Sequence, residues 1–244
     1  MLLRGYAAGI FPMADSRDAG DIFWVEPRTR AVIPIENFRL TRSLAKRIRS
    51  GRFQVSRDKA FQDVLLACAD REETWINSVI ERATLGLHAA GHAHSIECWQ
   101  DGELVGGLYG VRLGRAFFGE SMFSRTTDAS KVALAWLVAR LKVGHFTLLD
   151  CQFMTAHLAS LGAISISRDD YVGLLSTALS AGGAVGSGAG DVSAAGAASF
   201  EVPGAGPLPA PDFEALDRLL EAGGAGGASG PAGQLITQLL GQTS

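Results

Sequence analysis

The sequence predicts a mixed α/β fold of the α+β type, and three features lead to this prediction. Between residues 95 and 120, strand-forming runs alternate with the turn dipeptides Asp101-Gly102 and Leu113-Gly114, which is typical of an antiparallel meander. Strand and helix patterns then alternate up to residue 180. Near residue 181 the composition changes abruptly to glycine and alanine. We therefore expect a folded domain followed by a weakly folding segment.

The first 90 residues predict an irregular segment followed by three helices. Residues 1–38 are rich in Gly, Pro and aromatic residues, and we expect a small N-terminal subdomain there. Apolar residues at helical spacing then predict three helices, at 41–50, 57–69 and 78–90. Asn77 stands where it would cap the third helix.

The rest of the domain follows a recognisable order of elements. The predicted elements are strands at 95–100, 103–109 and 115–120, helix 128–142, strand 147–152, helix 153–161, strand 163–167 and helix 168–180. Ser167 and Asp170 form a capping box for the last helix. This order is that of an acetyltransferase-like (GNAT) domain, which we place at residues 39–180. A fold by itself does not name a reaction.

Residues 181–244 are predicted to form a flexible tail. They hold 15 of the 30 glycines, so they bury too little apolar surface to offset the entropy of ordering. Two apolar stretches, 213–220 and 235–240, interrupt this composition and could dock on the domain as short helices.

Composition limits the class of protein. No run of 18 or more apolar residues is present, so no membrane span is expected. The N-terminus lacks the basic and apolar regions of a secretory signal. Cys68, Cys98 and Cys151 form no C-x-x-C pair, which argues against a zinc ribbon or a disulfide framework. We therefore expect a cytoplasmic protein without a metal site.

Charge is unevenly distributed along the chain. The formal net charge is −3, but residues 181–244 carry −5 and the preceding residues carry +2. Residues 39–59 contain eight bases and one acid, which is enough to hold a phosphate backbone. A solvated helix face is an equally good interpretation of this segment. The candidate RNA-binding residues in the predicted helix are Arg42, Lys46, Arg47 and Arg49.

Asp150 and Gln152 are the most informative polar pair. They end an apolar strand two residues apart, and ligands collect at the carboxyl ends of strands in open α/β sheets. An amide there can orient an amine, while a carboxylate fixes the amide or accepts a proton. The simpler alternative is that Asp150 caps the helix beginning near Phe153.

Glu120 ends the neighbouring predicted strand, after Phe117, Phe118 and Gly119. A carboxylate in that setting suits recognition of a cation in a partly apolar cleft. Pairing of Glu120 with Arg125 is the alternative. Several apolar residues could wall a pocket beside these groups or could simply be core, namely Leu108, Phe117, Leu134, Leu137, Leu141 and Leu149.

Other side chains admit two interpretations each. Lys131 lies in the first turn of a predicted helix, where it would face phosphate or be an ordinary surface lysine. Trp75 precedes the Asn77 cap and would stack on a nucleobase or staple the helix entry. His92 and His94 lack further ligands at metal-binding spacing, which favours a structural role.

Two alternative classes of function bear on this fold. A CoA-dependent N-acetyltransferase needs a glycine-rich loop that holds the pyrophosphate at a helix N-terminus. Here residues 124–128 contain no glycine and end in an acid, which counts against that class. A non-catalytic tRNA-binding module is the other class, and Asp150 with Gln152 at a strand mouth counts against it.

From residue 5 to about residue 175, the chain resembles the leucyl/phenylalanyl-tRNA–protein transferase family. The strings that carry the resemblance are Gly5-Tyr6, Gly9-Ile10-Phe11-Pro12, Arg71-Glu72-Glu73-Thr74-Trp75-Ile76, Gly91-His92-Ala93-His94-Ser95-Ile96-Glu97, Glu103 through Gly110, Phe118 through Ser124, Ala129-Ser130-Lys131, Asp150-Cys151-Gln152 and Ser160-Leu161-Gly162-Ala163. So many strings in order make a chance match improbable.

The resemblance implies an enzyme that moves Leu or Phe from tRNA to proteins beginning with Arg or Lys, which marks them for degradation. It implies that Asp150 and Gln152 assist attack by the acceptor amine, with Glu120 in the same cleft. Trp75 would lie near the terminal adenosine, and Met13 stands where some members carry Trp. The apolar residues named above would hold the transferred side chain, and the basic helix would bind the tRNA stem. An aminoacyl ester is already activated, so no cofactor is expected.

Overall fold

The computed structural model describes residues 1–180, 209–223 and 231–241. The helices are α1 (Leu2–Ala7), α2 (Arg42–Arg49), α3 (Phe61–Ala69), α4 (Ser78–Ala89), α5 (Ala129–Val143), α6 (Ala156–Ser160), α7 (Arg168–Ser180), α8 (Ala215–Ala222) and α9 (Pro231–Gly241). The strands are β1 (Phe11–Met13), β2 (Phe23–Val25), β3 (Thr29–Ile33), β4 (Gln54–Arg57), β5 (Ala93–Gln100), β6 (Glu103–Leu113), β7 (Ala116–Ser124), β8 (Leu148–Asp150) and β9 (Ile164–Ser167). The mixed α/β class predicted from the sequence is confirmed.

A mixed seven-stranded sheet forms the centre of the protein, in the order β4-β5-β6-β7-β8-β3-β9. Strands β4 to β7 are antiparallel neighbours. The tight turns predicted the β5-β6-β7 part of this arrangement. Strands β7 and β8 are parallel, because α5 carries the chain back across the sheet between them. β3 then pairs antiparallel with both β8 and β9. A separate two-stranded sheet joins β1 and β2.

A β-bulge interrupts the β6–β7 ladder at Glu120. Tyr109 pairs with Ser121 and Gly110 pairs with Gly119, which leaves Glu120 without a partner of its own. A side chain at Gly110 would collide with the Phe118 carbonyl oxygen, since a Cβ there would lie 2.3 Å from it. Glycine thus permits the close approach of the two strands beside the bulge.

Two apolar cores lie on opposite faces of the sheet. Helix α5 covers one face, and its buried Leu134 and Leu137 pack there with Leu108 and Leu149 of the strands. Helices α1, α3, α4 and α7 belong to the core of the other face, which includes Tyr6. Of the helices in the described residues, none combines the length and hydropathy needed to cross a bilayer.

After residue 38, local signals located most elements, with one clear exception. Helix α3 begins at Phe61, whereas the sequence placed its start at 57, because β4 occupies 54–57 and was not predicted. Asp58 separates them with a left-handed φ of 56°. Asn77 caps α4 by accepting from the backbone N–H groups of Val79 and Ile80, as predicted.

The N-terminal segment and the predicted tail both contribute to the main domain. β3 lies within residues 1–38, yet it is an inner strand of the large sheet. Both apolar stretches of the tail form helices that pack on α5, and α9 also contacts α2. Phe213, Leu216 and Ile236 are buried in the α5 core, so these parts are integral to the domain. The rest of the predicted flexible tail lies outside the described residues.

Candidate active site

A cleft opens where the parallel ladder between β7 and β8 ends. The last paired residues are Phe118 and Asp150, after which β7 continues to Ser124 while β8 stops. The space between the diverging chains is a cavity of ≈390 Å³. Its polar wall carries Glu120 and Gln152. This is the carboxyl end of parallel strands, where the sequence led us to expect a ligand.

Asp150 is fully buried and all its hydrogen bonds lie within the protein. Arg30 donates from Nε to Oδ1 at 2.9 Å and from Nη2 to Oδ2 at 2.6 Å. The Tyr171 hydroxyl donates to Oδ2 at 2.9 Å, and the Gln152 backbone N–H donates to Oδ1 at 2.8 Å. With both oxygens engaged and no exposure, Asp150 can anchor the site but has no free path to a substrate.

Gln152 leaves the strand in a left-handed conformation, with φ 61°. Such a backbone is unfavourable for a residue with a side chain, and two hydrogen bonds hold it. Its N–H donates to Asp150, and its carbonyl accepts from the Ala31 N–H at 3.0 Å. The turn directs the side chain into the cleft, where Nε2 donates to Glu120 Oε1 at 2.8 Å.

Glu120 is held in the cleft by the bulge and by two neighbours. Tyr6 and Gln152 both hydrogen-bond its carboxylate. The alternative interpretation, a pairing with Arg125, is not formed, and Arg125 Nη1 instead donates to the Leu104 carbonyl. Burial raises the pKa of Glu120 to about 8, and the nearby Asp150 charge adds to this. The two hydrogen bonds and the Arg30 charge act in the opposite sense. The cleft therefore holds a carboxyl that can exchange a proton near neutral pH.

The other wall of the cavity is apolar. Leu108, Leu134, Leu137 and Leu149 line it as predicted, together with Trp75. The sequence did not single out Met122, Cys151, Phe153 and Leu158, which also line it. Phe153 and Leu158 follow Gln152 in a loop and short helix, so their position depends on the turn there.

Phe117 and Leu141 do not line this cavity. Phe117 is buried in the core on the α5 face of the sheet. It stacks there on Phe213 of the C-terminal segment, with ring centroids 5.5 Å apart. Leu141 is fully buried in the same core. Met13 lies on β1, packed against the opposite core beside Trp75, and the Trp75 carbonyl accepts from the adjacent Ala14 N–H at 3.0 Å.

The predicted basic residues lie on one side of the domain. Arg42, Lys46 and Arg49 are exposed on α2. Arg47 pairs with Asp128 at 3.4 Å, and Lys131 pairs with the same carboxylate at 3.4 Å. Asp128 therefore joins the basic helix to the start of α5.

Three residues of the network around Asp150 and Glu120 were not identified from the sequence as site residues. Arg30 is a basic residue near the start of the apolar strand β3, and it lies between the Phe11 and Tyr171 rings. Burial opposes its charge, but Asp150 more than offsets this, and the pKa of Arg30 is raised. Tyr6 and Tyr171 come from α1 and α7, and local sequence patterns give no sign that they meet.

His94 has a structural role, since it hydrogen-bonds Asp58 and stacks on Phe213.

Comparison with known proteins identifies the class and then the family. A model described as "Leucyl/phenylalanyl-tRNA protein transferase" matches residues 32–176, and one for its N-terminal domain matches residues 1–28. A Rhizorhabdus wittichii relative is 60% identical over 100% of this chain and 97% of its own length. Relatives from Zymomonas mobilis (61%; 74% of this chain and 69% of theirs) and Cereibacter sphaeroides (55%; 86% and 91%) are also similar. All three are named leucyl/phenylalanyl-tRNA–protein transferase.

The cleft and these comparisons define an enzyme of the transferase class. The chain belongs to the leucyl/phenylalanyl-tRNA protein transferase family. The resemblance found in the sequence is thereby confirmed.

Proposed function

We propose that this enzyme transfers Leu or Phe from aminoacyl-tRNA to the N-terminal Arg or Lys of acceptor proteins in the bacterial cytoplasm, which marks them for degradation. The observation that carries the proposal is the Glu120–Gln152 pair at the mouth of an apolar cavity. An amino-acid side chain and a reactive amine can thus be held within one cleft. The free cysteines and the lack of a membrane-spanning helix in the described residues agree with a cytoplasmic enzyme.

The transferred side chain would occupy the leucine-lined part of the cavity. Leu108, Leu134, Leu137 and Leu149 present branched apolar surface, which suits Leu or Phe and gives no partner to a polar side chain. Trp75 closes another part of the same cavity and offers an aromatic face to the terminal adenosine. Met13, which packs against the same core as Trp75, would help to hold Trp75 in place.

Glu120 would act as the proton acceptor. The α-ammonium group of an acceptor protein has a pKa of about 8, close to that of Glu120, so the proton can pass between them with little cost. The freed amine attacks the ester carbonyl carbon, a C–N bond forms, and the ester C–O bond breaks. The attacking nitrogen loses a second proton, which passes to the ribose oxygen of the tRNA, and that oxygen leaves as a hydroxyl.

Gln152 and Asp150 would have separate roles in this reaction. The Gln152 Nε2 group is engaged by Glu120, so its amide oxygen is the atom that can accept from the incoming amine. Asp150 fixes the Gln152 backbone and is a positioning residue, since its own oxygens are engaged. The donor is an activated ester, so the proposed chemistry assigns no step to a metal or cofactor.

The nucleic acid would bind along α2 through Arg42, Lys46, Arg47 and Arg49, with Lys131 closer to the cleft.

The domain would be of the acetyltransferase-like (GNAT) type, in which an antiparallel meander meets a parallel strand at a cleft. In a CoA-binding member, the loop before α5 would hold pyrophosphate. Here that loop ends in Asp128, which is already paired with Arg47 and Lys131.

One experiment separates the candidate functions. The purified protein is incubated with leucyl-tRNA labelled in its leucine and with a peptide that begins with Arg, and then with acetyl-CoA in place of the tRNA. Transfer of label from tRNA alone supports the proposal. Acetylation would support the acetyltransferase alternative, and tRNA binding without transfer would support a non-catalytic module. A peptide that begins with Gly serves as the control for acceptor specificity.

A further inference from the structure

A second cavity, of ≈460 Å³, lies beside the donor cavity. Arg71, Met122 and His157 line both cavities, so the two adjoin. Its further lining residues are the polar Arg125, Ser124, Ser130 and Asp70 and the apolar Ala67 and Phe123. It thus carries two arginines and one histidine against one carboxylate among its described lining residues.

The two arginines are not committed to acidic partners within the described residues. Arg71 donates to the Ser121 hydroxyl at 3.4 Å and to the Met122 carbonyl. Arg125 donates to the Leu104 carbonyl at 3.3 Å and is exposed. Uncharged oxygens do not neutralise a guanidinium, so both side chains keep a full positive charge at the cavity.

His157 stands at the junction of the two cavities with one nitrogen unused. Its Nε2 atom is buried and has no hydrogen-bond partner in the described part of the chain. Burial lowers the pKa of His157, and the positive charge of Lys131 lowers it further, so the ring is neutral near pH 7. A buried polar atom without a partner costs free energy, and a ligand group at the junction would satisfy it.

Lys131 and Arg47, which share the Asp128 carboxylate, lie between this cavity and the rest of the basic helix α2. Lys131 is near enough to lower the pKa of His157, and it pairs with the same Asp128 carboxylate as Arg47 of α2. A nucleic-acid strand that follows these side chains would reach the second cavity immediately before the donor cavity.

We propose that the second cavity binds the phosphodiester group that precedes the terminal adenosine of the donor tRNA. Arg125 and Arg71 would contact the phosphate oxygens, and His157 would hydrogen-bond at the junction with the nucleoside. This inference rests on the proposed function, because it presumes that an aminoacyl-nucleotide occupies the adjoining cavity. It assigns a fixed path to the single-stranded end of the tRNA.

The test compares three leucylated donors: adenosine, the trinucleotide CCA and whole tRNA. In Arg125→Gln, the KM for the trinucleotide relative to the KM for adenosine should rise about tenfold, since one charge-assisted contact is lost. The same relative rise is expected with tRNA, together with a weaker salt dependence of kcat/KM. Arg125→Lys, which keeps the charge but loses the planar fork, should give an intermediate rise.

Arg82→Gln is the matched control, because Arg82 is an exposed arginine on α4 outside both cavities. It should leave all three KM values and their ratios unchanged. Unaltered ratios in Arg125→Gln, or an equal rise with all three donors, would overturn the phosphate site. Failure of the wild-type enzyme to use any of the donors would instead overturn the proposed function.

Discussion

Arg30 and Asp150 form a buried bidentate ion pair across the β3–β8 ladder, with Nη2 2.6 Å from Oδ2 and Nε 2.9 Å from Oδ1. The pair lies under the cleft and connects three segments that are far apart in sequence. Tyr171 joins it from α7, and the Gln152 backbone joins it from the turn after β8. The position of the Gln152 amide thus depends on a buried ion pair.

Removing one charge of this pair should destabilise the fold. Asp150→Asn would leave the Arg30 guanidinium buried without its counter-charge, and such losses cost about 3–5 kcal/mol. Urea unfolding of wild type and variant measures the change. Asp170→Asn is the control, since that carboxylate is exposed and bonds only locally to Ser167. A loss below about 1 kcal/mol for Asp150→Asn would contradict the assignment of an anchoring role.

Glu120→Gln should slow transfer at least ~100-fold by removing the proton acceptor. In the wild type, kcat should rise as the pH increases through about 8, because the carboxylate form is the active one. The variant should lose this rise. Rates measured from pH 6 to 9.5 with saturating donor provide the check, and an unchanged profile in the variant would exclude Glu120 as the base.

The same carboxyl gives a prediction about stability. Its pKa is raised in the folded protein, so the folded state binds more protons than the unfolded chain between pH 4.5 and about 8. The stability that this group contributes is therefore present at low pH and is lost as the pH rises through about 8. Relative to wild type, Glu120→Gln should become more stable over that interval. Paired urea titrations at pH 5 and pH 8.5 measure the difference, and an opposite trend would refute the raised pKa.

Leu137→Phe should reduce transfer of Phe more than transfer of Leu, because it fills the donor cavity. Differences of one or two methylene groups change binding by only ~1–3 kcal/mol, so the effect should be graded. The measurement is kcat/KM for both aminoacyl-tRNAs. Leu141→Phe lies one turn further along α5, outside the cavity, and should lower stability without changing the Phe/Leu ratio. An unchanged ratio in Leu137→Phe would make Leu137 ordinary core.

Reversing charge on α2 should weaken tRNA binding selectively. Arg42→Glu combined with Lys46→Glu and Arg47→Glu should raise the KM for aminoacyl-tRNA and reduce its dependence on salt. Transfer from leucyl-adenosine should hardly change. Equal losses with both donors would show that α2 supports the fold or the acceptor protein rather than the tRNA.

The C-terminal helices should be necessary for stability. Phe213 is buried among Phe117, Phe146 and His94, so Phe213→Ala should cost about 3–5 kcal/mol. A chain that ends at Ser180 should lose more, since it also removes Asp217, the partner of Arg140 and Arg57. Thermal unfolding of both variants tests this. Wild-type stability in the truncated chain would mean that the packing of α8 and α9 contributes little.

The sequence by itself determined those features that depend on neighbouring residues. Turn dipeptides located the meander, Asn77 and Ser167 located helix starts, and apolar spacing located α5. These signals are local because a cap, a turn or an amphipathic face involves residues a few positions apart. The positions of Glu120, Asp150 and Gln152 at predicted strand ends made them candidates, and strings of residues that include them revealed the family.

Tertiary structure alone decided which distant residues meet. Arg30 and Asp150 are 120 positions apart, and pairing between strands leaves no local trace of the partner. The bulge at Glu120 and the left-handed turn at Gln152 direct two side chains toward each other, although a regular strand was expected there. Phe117 stacks on Phe213 in the α5 core and therefore does not line the cavity. Strand register and long-range packing decide which residues meet and which side chains line the cavity. The reason is that the burial of a side chain depends on the distant residues that pack against it.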